Sequence, residues 1–249
     1  MADRERARRE SDGPVVTITL DRPDKRNALD SAMAALLLGW LAELDEDPAL
    51  GCLVLTGADP AFCAGLDLHE FRARGHAPPG TPELIRAVAD LSVPVIAAVN
   101  GPAFTGGLEI VLGCDIVIAS ERASFADTHA RNNLMPGGGL SVRLAEAVGV
   151  RRAKRMSFTG QPVSAGEALE LGLADEVVEH SRLLTRVGQI ARDIAAMPPD
   201  AIRAMKKLYR AVTGEPVDTG IRIEHEMRAR YQAERRVGKV VTPGESCQR

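Results

Sequence analysis

Four short apolar runs rich in β-branched residues constrain this chain more than any other feature: Val15–Leu20, Cys52–Thr56, Val95–Val99 and Asp115–Ala119. Each is too short for a stable helix, and turn residues or helical stretches separate it from the next. Such alternation specifies an α/β core whose strands are parallel. Between the first two runs, Asp30 or Ser31 can cap a helix through Ala34–Leu44, which Asp47-Pro48 stops. Further on, Ser164-Ala-Gly-Glu167 spells a capping box before Ala168–Leu171, with Gly172 as the stop and a short strand expected at Glu176–Val178.

The 249 residues, 45% of them hydrophobic, can bury one substantial core. A net charge of -3 with mixed signs lacks the basic footprint of a nucleic-acid binder. Cys52, Cys63, Cys114 and Cys247 lie far apart without CxxC pairing, which fits reduced thiols in a cytoplasmic setting. No apolar run approaches the roughly 20 residues that span a bilayer, so no membrane partner is expected. Residues 1–12 are charged throughout and read as a flexible, solvated terminus. Arg72–Pro82 combines charge, glycine and proline and reads as an exposed loop.

From Arg182 the pattern is wholly helical: Leu183–Ala196, Asp200–Val212 and Val217–Arg235, broken at Pro198-Pro199 and near Gly214. The organisation is therefore a core over 13–196 and a C-terminal helical region over 197–249. Amphipathic helices of this kind must pack on the core, on one another or on another subunit.

Two glycine-bearing turns carry chemistry. The first, AFCAGLDL (Ala61–Leu68), leads from a strand into a helix start at Ala64-Gly65-Leu66. In the second, PVIAAV breaks at Asn100-Gly101-Pro102 and a helix begins around Thr105-Gly106-Gly107. Helix starts leave N–H groups unpaired, and glycine lets a ligand approach them closely. Two such donors on one oxygen would form an oxyanion hole. Glu109, three residues beyond Gly106, lies on the same side of that helix, where Leu108, Ile110, Val111 and Leu112 desolvate it for general acid/base work.

The blocks AFCAGLDL, PVIAAVNGPAFTGGLEIVLGCDIVIAS, FADTHARNNLMPGGGLSVRLAEAVG and FTGQPVSAGEALELGLADEVV resemble successive motifs of the enoyl-CoA hydratase/isomerase (crotonase) family. The resemblance implies a spiral of repeated ββα units with a C-terminal helical subdomain, assembled as a homotrimer or hexamer. It implies an acyl-CoA thioester substrate, coenzyme A entering as part of the substrate and not as a cofactor. It assigns the oxyanion donors to the N–H groups of Leu66 and Gly106. It also sets Ala28 and Ala64 beside the adenine, with Lys25 or Arg26 near the CoA phosphates and Asp67 either orienting the donor turn or capping the next helix.

Hydratases of the family carry two glutamates. Glu109 falls on the first position, whereas alignment through Phe125, Pro136 and Arg143 puts His129 on the second. A histidine can transfer a proton, or it can fill the space and bond to a backbone carbonyl. The expected activity is water addition to a trans-2-enoyl-CoA. The alternatives are isomerisation, dehydration or decarboxylation on the same scaffold, or acyl-CoA binding with little turnover. His69, His76, His180 and His225 lack ligand spacing, so no metal is expected. Gly137-Gly138-Gly139 reads as a tight turn, and Cys63 as core packing.

Overall fold

The apolar runs become neighbours in one sheet because both of their faces are buried. The computed structural model describes residues 6–239. In chain order the first elements are β1 (Ala7–Asp12), β2 (Val15–Leu20), α1 (Ser31–Glu46), β3 (Cys52–Gly57), α2 (Leu68–Arg74), α3 (Thr81–Asp90), β4 (Val95–Val99), β5 (Pro102–Phe104) and α4 (Gly106–Gly113). Then come β6 (Ile116–Ser120), β7 (Ser124–Ala126), α5 (Leu140–Val148), α6 (Val150–Thr159), β8 (Val163–Ser164), α7 (Ala165–Leu171), β9 (Glu176–Val178) and α8 (Leu183–Ala195). Helices α9 (Pro199–Val212) and α10 (Val217–Lys239) complete the order.

The large sheet runs β1-β2-β3-β4-β6-β9, parallel throughout except for the antiparallel β1. Alternate residues serve opposite faces. Ile18, Leu53, Leu55, Ala97 and Val99 face the main core with α1, α3 and α4, whereas Val15, Val54, Ile96 and Ile118 meet Leu183, Val187 and Ala191 of α8. Cover on both sides explains why these strands read as continuous apolar runs. It also assigns α8 to the core, as the sheet's second cover.

A smaller sheet, β5-β7-β8, lies beyond the large one. Strand β4 passes into β5 and then α4, and β6 passes into β7 and then α5. The preceding coil does the same in abbreviated form, since β3 leads to a single parallel bridge, Cys63 with Ala103, before α2. Residues 64–66, 105–106 and 127–129 thus occupy equivalent places in three successive coils, just after the short strand.

Two expectations are corrected. Residues 7–12 are not a flexible terminus but an edge strand paired with β2, anchored by fully buried Ala7, the Arg8–Asp21 ion pair and Arg9 on Glu43 and the Trp40 ring. Charged side chains are what an exposed edge tolerates. Residues 1–5 of that expected terminus lie outside the described residues. The Arg72–Pro82 loop is shorter than expected, confined to residues 75–80: α2 continues to Arg74, and α3 starts at Thr81 with Pro82 in its first turn and buries Leu84, Ile85 and Val88. Elsewhere, Asp30 caps α1 through the Met33 N–H, and Ser164 and Glu167 form the capping box of α7.

The chain divides into two compact units at Met197 and Pro198. Within the second, α9 and α10 pack against each other. No helix among the described residues is long and apolar enough to cross a membrane.

Candidate active site

The turn at residues 63–66 is zipped into place on two sides. Phe104 donates its N–H to Cys63 O (2.9 Å) and Cys63 donates to Pro102 O (3.1 Å), while Leu29 donates to Gly65 O (2.8 Å) and Asp67 to Leu29 O (2.9 Å). Two buried carboxamides brace the approach. Asn27 Nδ2 donates to the carbonyls of Ala58 and Ala61, and Asn100 Nδ2 donates to Asp59. Gly65 sits at φ +98°, a conformation in which a side chain would be strained. The Leu66 N–H that this turn presents has no acceptor among the described residues.

The second turn begins α4. Thr105, at φ +53°, donates its N–H to Ala126 O (2.9 Å), and its hydroxyl meets that of Thr128. Gly106 is the first residue of the helix, so its N–H has no intrahelical acceptor and finds none elsewhere among the described residues. The two turns lie against each other. A methyl carbon on Gly106 would stand 3.7 Å from the Leu66 nitrogen, and one on Gly107 only 2.1 Å from Cys63 O. Both predicted donors are therefore close together and unconsumed by internal hydrogen bonds.

Glu109 sits one turn further along α4 and is 3% exposed. Gly138 donates its N–H to Glu109 Oε1 at 2.7 Å, and Arg143 Nη1 donates to Gly138 O at 3.0 Å. Thus Arg143, left unassigned by the sequence, holds the peptide that holds Glu109. The second carboxylate oxygen, Oε2, has no protein partner among the described residues and is free to meet water or substrate.

His129 is 4% exposed and bonds to a carboxylate, not to a backbone carbonyl. Its Nδ1 and its backbone N–H both meet Asp127 Oδ1, at 2.7 and 3.1 Å. Burial pushes the Asp127 carboxyl up, but hydrogen bonds from His129 and Ser157 outweigh burial and hold it below the usual carboxylate range. Both residues line a cavity of about 340 Å³ walled by Leu134, Pro136, Leu140 and Leu144. Asp127 escaped the sequence reading, although an aspartate two residues before a histidine is the spacing of an Asx turn.

Lys25 and Arg26 are exposed in the 22–29 loop, and their side chains make no ion pair among the described residues. Ala64 donates its N–H to Arg26 O (3.0 Å), joining that loop to the donor turn, while Ala28 O accepts from the Arg22 guanidinium. Asp67 caps α2 with Oδ1 on the N–H groups of His69 and Glu70, and its Oδ2 pairs with Arg22 Nη2 at 3.0 Å. Burial raises its carboxyl, yet the Glu70 N–H and Arg22 hold it low. Both oxygens are occupied within the protein, so capping is its occupation here. Arg22, itself largely buried, is the cation the sequence did not single out. Burial pushes the Cys63 thiol up to about 12, which removes it as a nucleophile.

With two free amides beside a buried carboxylate on this coiled α/β scaffold, comparison with known proteins becomes decisive. The family model for enoyl-CoA hydratase/isomerase matches residues 10–243. The chain belongs to the enoyl-CoA hydratase/isomerase family. It is 38% identical over 216 residues to carnitinyl-CoA dehydratase of Salmonella typhi, covering 84% of this chain and 82% of that protein. Among solved structures, enoyl-CoA hydratase from Mycobacterium tuberculosis is 41% identical, with a TM-score of 0.78 over 92% of this chain and 100% of that one. Enoyl-CoA hydratase from Bacillus anthracis is 33% identical, with a TM-score of 0.86 over 96% of this chain and 98% of that one. The fold is that of the crotonase family, and an acyl-CoA substrate is implied by the membership.

Proposed function

We propose that this chain is a lyase that adds water to a trans-2-enoyl-CoA, or removes it in the reverse direction. The observation that supports this most directly is the buried Glu109 carboxylate, with Oε2 unengaged, one helical turn from the free Gly106 amide, which itself lies against that of Leu66.

In this reading the thioester oxygen accepts hydrogen bonds from the N–H groups of Leu66 and Gly106. Glu109 Oε2 takes a proton from water while the water oxygen bonds to the β-carbon and the double-bond electrons move onto the thioester oxygen. The enolate then takes a proton at the α-carbon from His129 Nε2. Passage of the Glu109 proton back to the imidazole restores both groups, so the net change is one water added. Donors fixed before charge develops stabilise the enolate most, and one of them contributes about 3 kcal/mol. Arg22 is committed to Asp67, which leaves Lys25 and Arg26 as the exposed cations for the CoA phosphates.

The relatives support water chemistry: one is named a dehydratase and two are titled hydratases. A single free carboxylate could instead shuttle one proton and move the double bond, the isomerase alternative. Loss of the conjugated-thioester absorbance of crotonyl-CoA, with chromatography of the product, separates the two. We expect 3-hydroxybutyryl-CoA, and a fall of about 10³-fold in kcat for Glu109→Gln. Unchanged turnover in that variant would end the proposal.

Assembly into trimers or hexamers belongs to the same proposal. Met135, Val150 and Phe158, 87%, 55% and 78% exposed, cluster around one cavity rim, an apolar patch suited to burial against another copy.

A further inference from the structure

The histidine at the second acid/base position is held differently from a glutamate, and that difference is built into the surrounding residues. Asp127 Oδ1 takes both the backbone N–H and the ring Nδ1 of His129, so one oxygen sets the start of the 127–132 turn and the angle of the imidazole. The carboxylate is only 2% exposed and is further bonded to Ser157 of α6. Its position is fixed from behind by β7, whose last carbonyl, Ala126 O, accepts from Thr105. Nothing in this arrangement allows the ring to swing without breaking a buried charge-assisted bond.

The other ring nitrogen is treated in the opposite way. Nε2 has no hydrogen-bond partner among the described residues, although the residue is almost wholly buried and lines the 340 Å³ cavity. Lys154 of α6 lines the same cavity, Arg131 turns away to Thr159 O, and Glu109 of α4 holds the Gly138 N–H through Oε1 and leaves Oε2 free, the 136–140 segment that carries Gly138 supplying Pro136 and Leu140 to the cavity wall. Among the residues lining the cavity, Asp127 supplies the carboxylate.

We infer that Asp127 is a positioning residue for the reaction: it keeps a proton on His129 Nδ1, so that Nε2 alone accepts and donates the proton exchanged with the acyl-thioester. This deepens the proposed hydratase reading and rests on it for the role of Nε2. An anionic acceptor on Nδ1 selects one tautomer and stabilises the charged ring when Nε2 is protonated. Free imidazole side chains favour the opposite tautomer, with the proton on Nε2, so the carboxylate has something to overcome. A merely structural Asp127, holding only the turn, would leave the tautomer and the pH profile unmoved.

The test is 15N-detected imidazole spectroscopy of the whole protein, with His129 assigned by the signal lost in His129→Gln, together with pH profiles of crotonyl-CoA hydration. In the wild type, at the alkaline plateau where the ring is neutral, we expect the proton on Nδ1; in Asp127→Ala it moves to Nε2. We expect kcat to fall about 10²-fold in Asp127→Ala with KM within about threefold. Asp127→Asn keeps a neutral acceptor for the turn, so it should fold, and its imidazolium-dependent limb should move to lower pH. Asp127→Glu should recover part of kcat. An Nε2–H tautomer in the wild type overturns the inference, as does an Asp127→Asn profile that superimposes on the wild type. Because the tautomer is read from the resting protein, inactivity of the wild type, or indifference to Glu109→Gln, would sink the hydratase reading without obscuring this result.

Discussion

Thr105 and Thr128 are hydrogen bonded through their hydroxyls, and each stands immediately before a residue of the site, Gly106 and His129. The backbone repeats the link through Thr105 N and Ala126 O. These contacts join two successive coils at the equivalent position, so the Gly106 amide and the histidine share one support. A β-branched residue at φ +53° costs about 1–3 kcal/mol, and the hydroxyl bond helps hold it there together with the backbone bond to Ala126 O. Thr128→Val keeps the shape and deletes the bond. The expected outcome is a protein that still folds, with a lowered melting temperature and kcat reduced about tenfold. An unchanged kcat for crotonyl-CoA would show that the link is not part of the catalytic support.

Gly106 and Gly107 are adjacent but should fail differently. A methyl at Gly107 meets Cys63 O at 2.1 Å and Cys63 Cβ at 2.9 Å, a collision with backbone that a side-chain rotation cannot relieve. Gly107→Ala should therefore destabilise by about 1–3 kcal/mol in urea unfolding. At Gly106 the nearest atoms are at 3.5 Å, ordinary contact, so Gly106→Ala should keep its urea midpoint. Its methyl nevertheless stands beside the Leu66 amide, where the thioester oxygen is expected. Hydration should drop in both, and stability only in Gly107→Ala. Equal urea midpoints for the two variants would contradict this account.

The Gly138 peptide is a clamp on the Glu109 carboxylate. A methyl there would lie 2.9 Å from Glu109 Cδ and 2.6 Å from Ile85 Cγ2. Gly138→Ala should push Glu109 off its N–H donor, lowering kcat at least tenfold while KM changes little, because the clash falls on Glu109 and Ile85 and not on the exposed Lys25 and Arg26. Arg143→Met should reproduce part of the loss by releasing Gly138 O. Steady-state kinetics on the same enoyl-CoA check both, and a selective rise in KM would point instead to a binding role.

How far these residues could be read from sequence depended on whether their signal was local. Val15–Leu20 matches β2 to the residue because a strand covered on both faces is apolar throughout. The two glycine turns were legible because a strand followed by glycine and a helix leaves free amides wherever it occurs, and the family resemblance narrowed them to Leu66 and Gly106. Strand β1 was hidden because an edge needs only Ala7 buried and tolerates charge elsewhere. Helix α3 was hidden behind Gly80 and Pro82, which mark a helix start as readily as a loop. The hold of Gly138 on Glu109 spans 29 residues, and that of Arg22 on Asp67 spans 45. No local pattern encodes such pairs, since only the coiling of the chain brings them together.

Acid stability should report the Asp127–His129 pair independently of activity. Asp127 has a folded-state pKa below its ordinary value of 3.8, since the hydrogen bonds from His129 and Ser157 exceed the opposing effect of burial. A depressed carboxyl stabilises the fold above its unfolded pKa, and the contribution is lost as pH falls from about 4 through the lower folded value. The unfolded chain takes up the proton first, so the slope in that window is a loss of stability with acid. Asp127→Asn lacks this titration but shares the other carboxylates with the wild type. The gap in urea midpoint between the two should be full at pH 6 and narrow progressively below pH 4. A gap that stays constant from pH 6 to pH 3 would mean that Asp127 is not held as an anion by its neighbours, and the picture of a carboxylate-oriented imidazole would lose its electrostatic basis.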